Sequence, residues 1–446
     1  MITRKNQASL TQPEKDHFVD AVRRLKANGK YDQFVRWHRD TIHIDPNTGD
    51  ELKDAHEGPA FFAWHREFLI RFEKALQDAV GDPNLGLPYW DWSVNRSQDS
   101  RWPFTPDFLG RNGTSDPSFP GKVVDGKFSD WTLTVLPLDD PDEQYPYLRR
   151  QFGTDPDARS LPTTDDVKAA LNATPFDVAP WTRNSQSGFR NMAEGFIPQP
   201  TPGVYTIPRM HNRVHAWIGG SMGPPTSPND PVFFLHHCFV DKLWADWQTS
   251  HPNESPSLPP SGAAPGHNLN DPMRPWTVTP ANVRNHHQLS DGYSYRYDYE
   301  IPGLTVLVHI AERGDRTFFQ YSFAGTRGQG LSLEGFQVDF APPVEGLGME
   351  YMAHLAETGD TPWVQGGNFV GTRGQARRLE GFAIRLTGTQ APYYDVGYMA
   401  HLAETGDTIF YKNGQFCGTR GQARGVQGIE VRVVPKIPSE PGIIVG

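Results

Sequence analysis

The chain is short of cysteine, of basic charge and of long apolar runs, and each shortage removes a class of protein. It holds 2 Cys in 446 residues, Cys238 and Cys417, too few and too far apart for a disulfide framework. Reduced thiols of a cytoplasmic protein are the expectation, with partner-assisted export as the route that would leave no mark in the sequence. Lys and Arg number 42 against 52 Asp and Glu, a formal net charge of -10, so no basic surface advertises a nucleic-acid partner. Nowhere do about 18 apolar residues run together, as a spanning helix requires, and the opening MITRKNQASLTQPEKDHF carries no apolar signal core. No membrane partner is expected.

What the chain has in plenty is aromatics and histidine: 12 Trp, 26 Phe and 16 His. A core of few but bulky side chains follows, and the length favours two domains. Helical spacing of apolar residues predicts helices over residues 13–28, 31–43, 58–80, 211–217 and 231–248. The third is the most regular, with Phe61, Trp64, Phe68, Phe72 and Leu76 on one face and Gly81-Asp-Pro as its stop. Residues 91–209 are rich in Pro, Asp and Gly and read as long ordered loops around a helical centre.

Beyond the Pro- and Ser-rich PNESPSLPPSGAAPG the texture changes to short alternating runs, and a repeat emerges. Gly-Thr-Arg-Gly-Gln recurs at Gly325, Gly371 and Gly418, in three copies that also share His309, His354 and His401 and Asp315, Asp360 and Asp407. Three such copies predict an all-β unit with pseudo-threefold symmetry, a trefoil or a prism. The boundary falls near residue 302, giving a first domain over 1–302 and a repeat domain over 303–446. The repeated polar residues are read as turn-formers, with a glycan-binding module or a lid over the other domain as alternatives; Tyr393 and Tyr394 are the candidate lid residues.

The histidines carry the chemistry. His211 and His215 in HNRVH lie four apart, on one face of a helix, and PVFFLHHCFV follows with the vicinal pair His236 and His237. One of that pair faces inward. A buried imidazole needs a partner, and three converging neutral imidazoles suit copper or zinc. His38, His56 and His65 offer a second triplet. Zinc hydrolases with two metals more often use bridging carboxylates, and none stands in these motifs.

FVRWH, DAHEGPAFFAWHREFLIRFEKALQ, LPYWDW, FRNMAEGF, HNRVHAWIGG and SPNDPVFFLHHCFVDKLWADWQ, in that order over roughly residues 1–300, together resemble bacterial tyrosinases of the type-3 copper family. The resemblance implies a four-helix bundle around two copper ions, with His38, His56 and His65 on the first and His211, His215 and His237 on the second. His43 and His236 are non-ligands by the same likeness. It implies O2 as co-substrate, a phenolic small molecule as substrate, and ortho-hydroxylation of monophenols with oxidation of o-diphenols to o-quinones. A copper chaperone is a candidate partner. Catechol oxidase and o-aminophenol oxidase are the alternatives within the family, and an oxygen carrier the alternative outside enzymes.

Glu194 and Asn212 match the residues to which the family assigns a water that accepts the phenol's proton. Ala216, beside His215, leaves the entrance open. Arg213 and Ser227 are candidates for a substrate's polar tail, with a solvated helix face the favoured reading of Arg213, and Phe61 and Phe233 are candidates for walls of the site or equally for core packing. Asp241, one turn after His237, is a candidate to hydrogen-bond an imidazole, with a cap or a salt bridge as the equal alternative, and Cys238 reads as a buried inert thiol. The repeat around Trp363 distantly resembles the clostridial hydrophobic repeat with its tryptophan.

Overall fold

The structure is a computed structural model that describes all residues except 47, 95–101, 138–143, 197–208, 252–253, 255–257, 299, 301, 321, 342 and 437–446. The chain divides into two compact units: Met1–Trp247 with Glu254–Asp298, and Gln248–Asn253 with Tyr299–Gly446.

The first unit has a helical core. Its helices are α1 (Gln12–Ala27), α2 (Lys30–Arg39), α3 (Phe61–Val80), α4 (Thr164–Leu171), α5 (Phe189–Glu194), α6 (Met210–Ile218) and α7 (Val232–Ser250), with a further turn at Pro280–Val283. α1 begins in a capping box of Thr11 and Glu14. The left-handed Gly29 and Gly81 stop α1 and α3 where the sequence places them. α2 ends at Arg39 rather than at His43, because Ile42–Ile44 pairs as a strand with Glu51–Lys53. Within the stretch read as loops stand two short helices. α4 is set by its own capping box of Thr163 and Asp166, and α5 is a helix of six residues held by the buried Arg190 and Asn191.

α3 and α7 are buried on nearly all sides, and aromatic rings fill the space between them: Phe72 stacks on Phe234 at 3.4 Å and Phe68 on Phe234 at 5.8 Å. Beneath them lies a fully buried ion network. Asp241 takes hydrogen bonds from Arg66 at 2.6 Å, Arg4 at 3.1 Å, and the hydroxyls of Tyr295 and Tyr297. Of the readings of Asp241 as an imidazole's partner, a cap or a salt bridge, the salt bridge is the one present: Arg4 and Arg66 claim both of its oxygens. Cys238 is a free, buried thiol whose pKa burial raises far above its ordinary value.

The second unit is all β. The strand Leu304–Ile310 pairs with Gly314–Phe319 and Leu333–Phe340, Gly348–Leu355 with Gly359–Asp360 and Leu379–Thr387, and Tyr394–Leu402 with Gly406–Asp407 and Val426–Pro435. Each of these three sheets is completed by a two-residue strand from another repeat. The first takes Val370–Gly371, the second Cys417–Gly418 and the third Ala324–Gly325, so the exchange runs in a ring. At each exchanged glycine, a β-carbon would meet backbone at about 2.4 Å, which is why Gly-Thr-Arg recurs there.

The repeated polar residues follow the same ring. Asp315, Asp360 and Asp407 each bind the histidine of their own repeat at 2.5 to 2.6 Å. Each also binds an arginine of another repeat, Arg373, Arg420 and Arg327 respectively, and those guanidiniums lie 3.5 to 3.6 Å over Phe369, Phe416 and Phe323. They clasp the repeats together, more than the turn-forming role read from the sequence. Of the two candidate lid residues, Tyr394 is buried at 6 % exposure in the core of this unit, while Tyr393 is half exposed.

Candidate metal centre

His38 stands on the last turn of α2, His56 on the loop into α3, and His65 on the second turn of α3. Their ring centroids are 5.1 to 5.7 Å apart. His38 Nδ1 donates to the Pro225 carbonyl at 2.6 Å and His65 Nδ1 to the Phe61 carbonyl at 2.8 Å. A carbonyl only accepts, so the proton of each ring is on Nδ1 and Nε2 carries a lone pair. Both of those Nε2 atoms are buried and meet no hydrogen-bond donor.

The second group is tighter. α6 presents His211 and His215 from adjacent turns, with Nδ1 of His211 bonded to Asn212 Oδ1 at 2.9 Å and Nδ1 of His215 to the Met222 carbonyl at 2.8 Å. Their Nε2 atoms each lie 3.2 Å from Nε2 of His237 on α7. Nitrogens bound to one ion at about 2.0–2.1 Å stand roughly 3.3 Å apart. With the Nδ1 protons of His211 and His215 committed to Asn212 and Met222, their Nε2 lone pairs and the Nε2 of His237 converge closely enough to hold a cation between them. His236 belongs to the same cluster, but its ring lies flat beside His211 at 5.1 Å, and the short nitrogen distances run to His237. The two groups adjoin, since the rings of His65 and His237 stack at 4.3 Å.

Burial keeps all six neutral. It lowers His38 and His215 to about 4 and holds His56, His65, His211 and His237 well below the ordinary histidine value. Neutral nitrogen donors with no carboxylate among them suit copper better than a hard cation. His43 lies apart, between Arg274 and Asp54. Two residues beside ligands, Glu57 and Met210, carry a positive φ of 59° and 40°, backbone strain of the kind that collects at working sites.

The comparisons with known proteins agree with this geometry. Residues 28–250 match the common central domain of tyrosinase, half of the chain. A tyrosinase of Streptomyces glaucescens is 44 % identical over 292 residues, covering 64 % of this chain and 97 % of that one. The chain belongs to the tyrosinase family. Grixazone synthase of Streptomyces griseus subsp. griseus is 37 % identical over 325 residues, covering 66 % and 98 %. Among solved structures, a polyphenol oxidase of Thermothelomyces thermophila is 25 % identical with a TM-score of 0.47, covering 67 % of this chain and 88 % of that one. Residues 354–388 match the clostridial hydrophobic W repeat. Tyrosinase-family proteins bind two copper ions and use O2, and the two histidine groups are the residues that could hold them here.

Beside the histidines this tyrosinase-family chain has a cleft of about 440 Å3. Asn212, Ala216, Ser227 and Glu194 line it; Arg213, Phe61 and Phe233 are not among its lining residues. The Arg213 guanidinium turns to the carbonyl and hydroxyl of Ser160 at 2.6 and 2.8 Å. Phe61 packs on His65 and His211 at 4.8 and 4.9 Å, and Phe233 stacks on His237 at 4.0 Å. These two rings brace the ligands from behind.

The Glu194 carboxylate accepts from the backbone N–H of Glu57 at 2.6 Å and from Arg190 at 3.0 Å, and Arg190 is held in turn by Asp177. Burial raises Glu194 to about 7, against the pull of Arg190. Glu194 thereby ties α5 to the His56 loop. The sequence reading missed this tie, and it missed Lys53, Glu57 and Asp155 on the cleft. Only Glu57, next to a ligand histidine, carried a local signal.

Proposed function

We propose that the protein is a tyrosinase: with two copper ions and O2 it hydroxylates monophenols at the ortho position and oxidises o-diphenols to o-quinones. The observation that carries this is the pair of adjoining histidine triplets, His38, His56, His65 and His211, His215, His237, opening on one cleft. When bound, the copper pair supplies O2 activation and oxygen transfer to the phenol ring. The residues do the rest. Pro225 and Met222 hold their imidazoles in the tautomer that leaves Nε2 free, and Phe61 and Phe233 keep water from the ligands' rear faces. Ala216 leaves room for a flat ring beside His215.

Monophenol hydroxylation needs a proton acceptor at the phenol hydroxyl, and on this reading Glu194 and Asn212 hold a water that serves as it. A carboxylate offers about four acceptor positions. Two of those on Glu194 are taken, which leaves capacity for that water. This favours a tyrosinase over a diphenol-only catechol oxidase. Oxygen uptake with p-cresol, 4-methylcatechol and o-aminophenol by copper-loaded protein tests it: uptake with p-cresol, yielding quinone, is expected, and uptake with the other two alone refutes it.

On this reading residues 1–302 form the catalytic domain, a four-helix bundle, and residues 303–446 a β-prism of three sheets. The repeat domain serves as a glycan-binding module. Trp363 and Phe410 support that role, each 38–39 % exposed and backed by Arg385 and Arg432, as sugar-stacking rings are. Retention of the full chain on insoluble polysaccharide, lost on Trp363→Ala, is the expected result; equal retention of the variant refutes it.

A further inference from the structure

Four side chains of formal charge other than histidine line the cleft: Lys53, Glu57, Asp155 and Glu194. Three have ionic partners. Lys53 Nζ sits 2.7 Å from Glu57, Arg183 lies 3.5 Å from the other Glu57 oxygen, and Glu194 is paired with Arg190. Asp155 has no cationic partner among the described residues.

Asp155 is also held in place. Its Oδ1 accepts the backbone N–H of Asp157 at 2.8 Å, and its carbonyl accepts that of Ala158 at 3.1 Å. Just before it, Gln151 and Gly153 donate to the carbonyls of Ile218 and Trp217, and Phe152 stacks on Trp217 at 4.6 Å. The loop is thus clamped to the end of α6, the helix whose His215 and Ala216 line the same cleft. Oδ2 takes no hydrogen bond from a described residue. The cations that would welcome an anionic tail are spent: Lys53 on Glu57, and Arg213 on Ser160.

We propose that Asp155 determines specificity by receiving the ammonium group of a phenol with a cationic side chain, selecting arylalkylamines of the tyramine type over phenols with a carboxylate tail. This rests on the phenol-oxidising reading of the cleft. A lone rim carboxylate attracts a cation and repels an anion, and it does so through solvent that salt can screen. The contact acts on capture of the substrate and leaves the reacting ring to the copper site.

The test is kcat/KM of the copper-loaded full chain for tyramine, p-cresol and 4-hydroxyphenylpropionate. The wild type is expected to rank them in that order. Asp155→Asn lowers the tyramine to p-cresol ratio about threefold to tenfold, and Asp155→Glu keeps it. Raising ionic strength lowers the same ratio in the wild type and leaves it flat in Asp155→Asn. A ratio indifferent to both the substitution and the salt overturns the proposal. If p-cresol is not oxidised by the wild type, the phenol-oxidase reading fails separately. Binding of tyramine to the copper-free chain, followed by ligand-observed NMR, then decides on Asp155: weaker binding in Asp155→Asn supports its role, and equal binding overturns it.

Discussion

Replacing Asp241 by Ala would remove the centre of the network beneath α3 and α7. Asp241 is 2 % exposed, and its two oxygens serve Arg66, Arg4, Tyr295 and Tyr297. Arg4 would retain both oxygens of Glu73, and Arg66 the carbonyls of Val283 and Arg284. Each guanidinium would still keep a positive charge in a dry interior with one anion fewer. Breaking a buried pair by deleting one partner costs about 3–5 kcal/mol. At roughly 2 °C per kcal/mol for a unit of this size, Tm should fall by about 6–10 °C. Differential scanning calorimetry should find the loss in the helical unit's transition. Burial opposes ionisation of Asp241, yet Arg66, Arg4 and the two hydroxyls hold its pKa below the usual carboxylate value. Its contribution is therefore complete above the unfolded value near 4 and disappears as pH falls through the lower folded value. Below about pH 4 the wild type should lose stability more steeply than Asp241→Asn. A shift under about 2 °C in Asp241→Ala would refute the reasoning.

His237→Ala should lower bound copper by about one ion per chain while His236→Ala keeps it, because the 3.2 Å contacts run to His237; metal analysis of the two variants decides. Glu194→Gln should reduce the rate on p-cresol at least about 100-fold, and the rate on 4-methylcatechol much less, if the carboxylate serves the phenol's proton; equal losses would contradict that role. Arg213→Ala should change kcat/KM for tyramine by less than about twofold, since its guanidinium is committed to Ser160.

The helices that carry the histidines were legible because their apolar spacing is long and regular, as in Phe61 to Leu76, and because Gly29 and Gly81 mark their ends. The repeats were legible from Gly-Thr-Arg-Gly-Gln, since an exchanged strand that close to its neighbour tolerates only glycine. α4 and α5 were not, because eight and six residues give too little periodicity. The direction of a long side chain was also hidden. Arg213 follows a ligand by two residues yet reaches to Ser160, and Asp241 follows His237 by one turn yet serves two arginines, one of them 237 residues away in sequence. Asp155 reaches the cleft through a loop clamped by Trp217 and Ile218, a contact between segments that no local pattern announces.

The most direct test of the central claim is the count of copper per chain after reconstitution, in the wild type and in two triple variants. The wild type should hold two ions. Replacing His38, His56 and His65 together by Ala, or His211, His215 and His237 together, should leave one, with O2 uptake on phenols lost in both. A wild-type chain that holds fewer than two, or a triple variant that still holds two, would contradict the assignment.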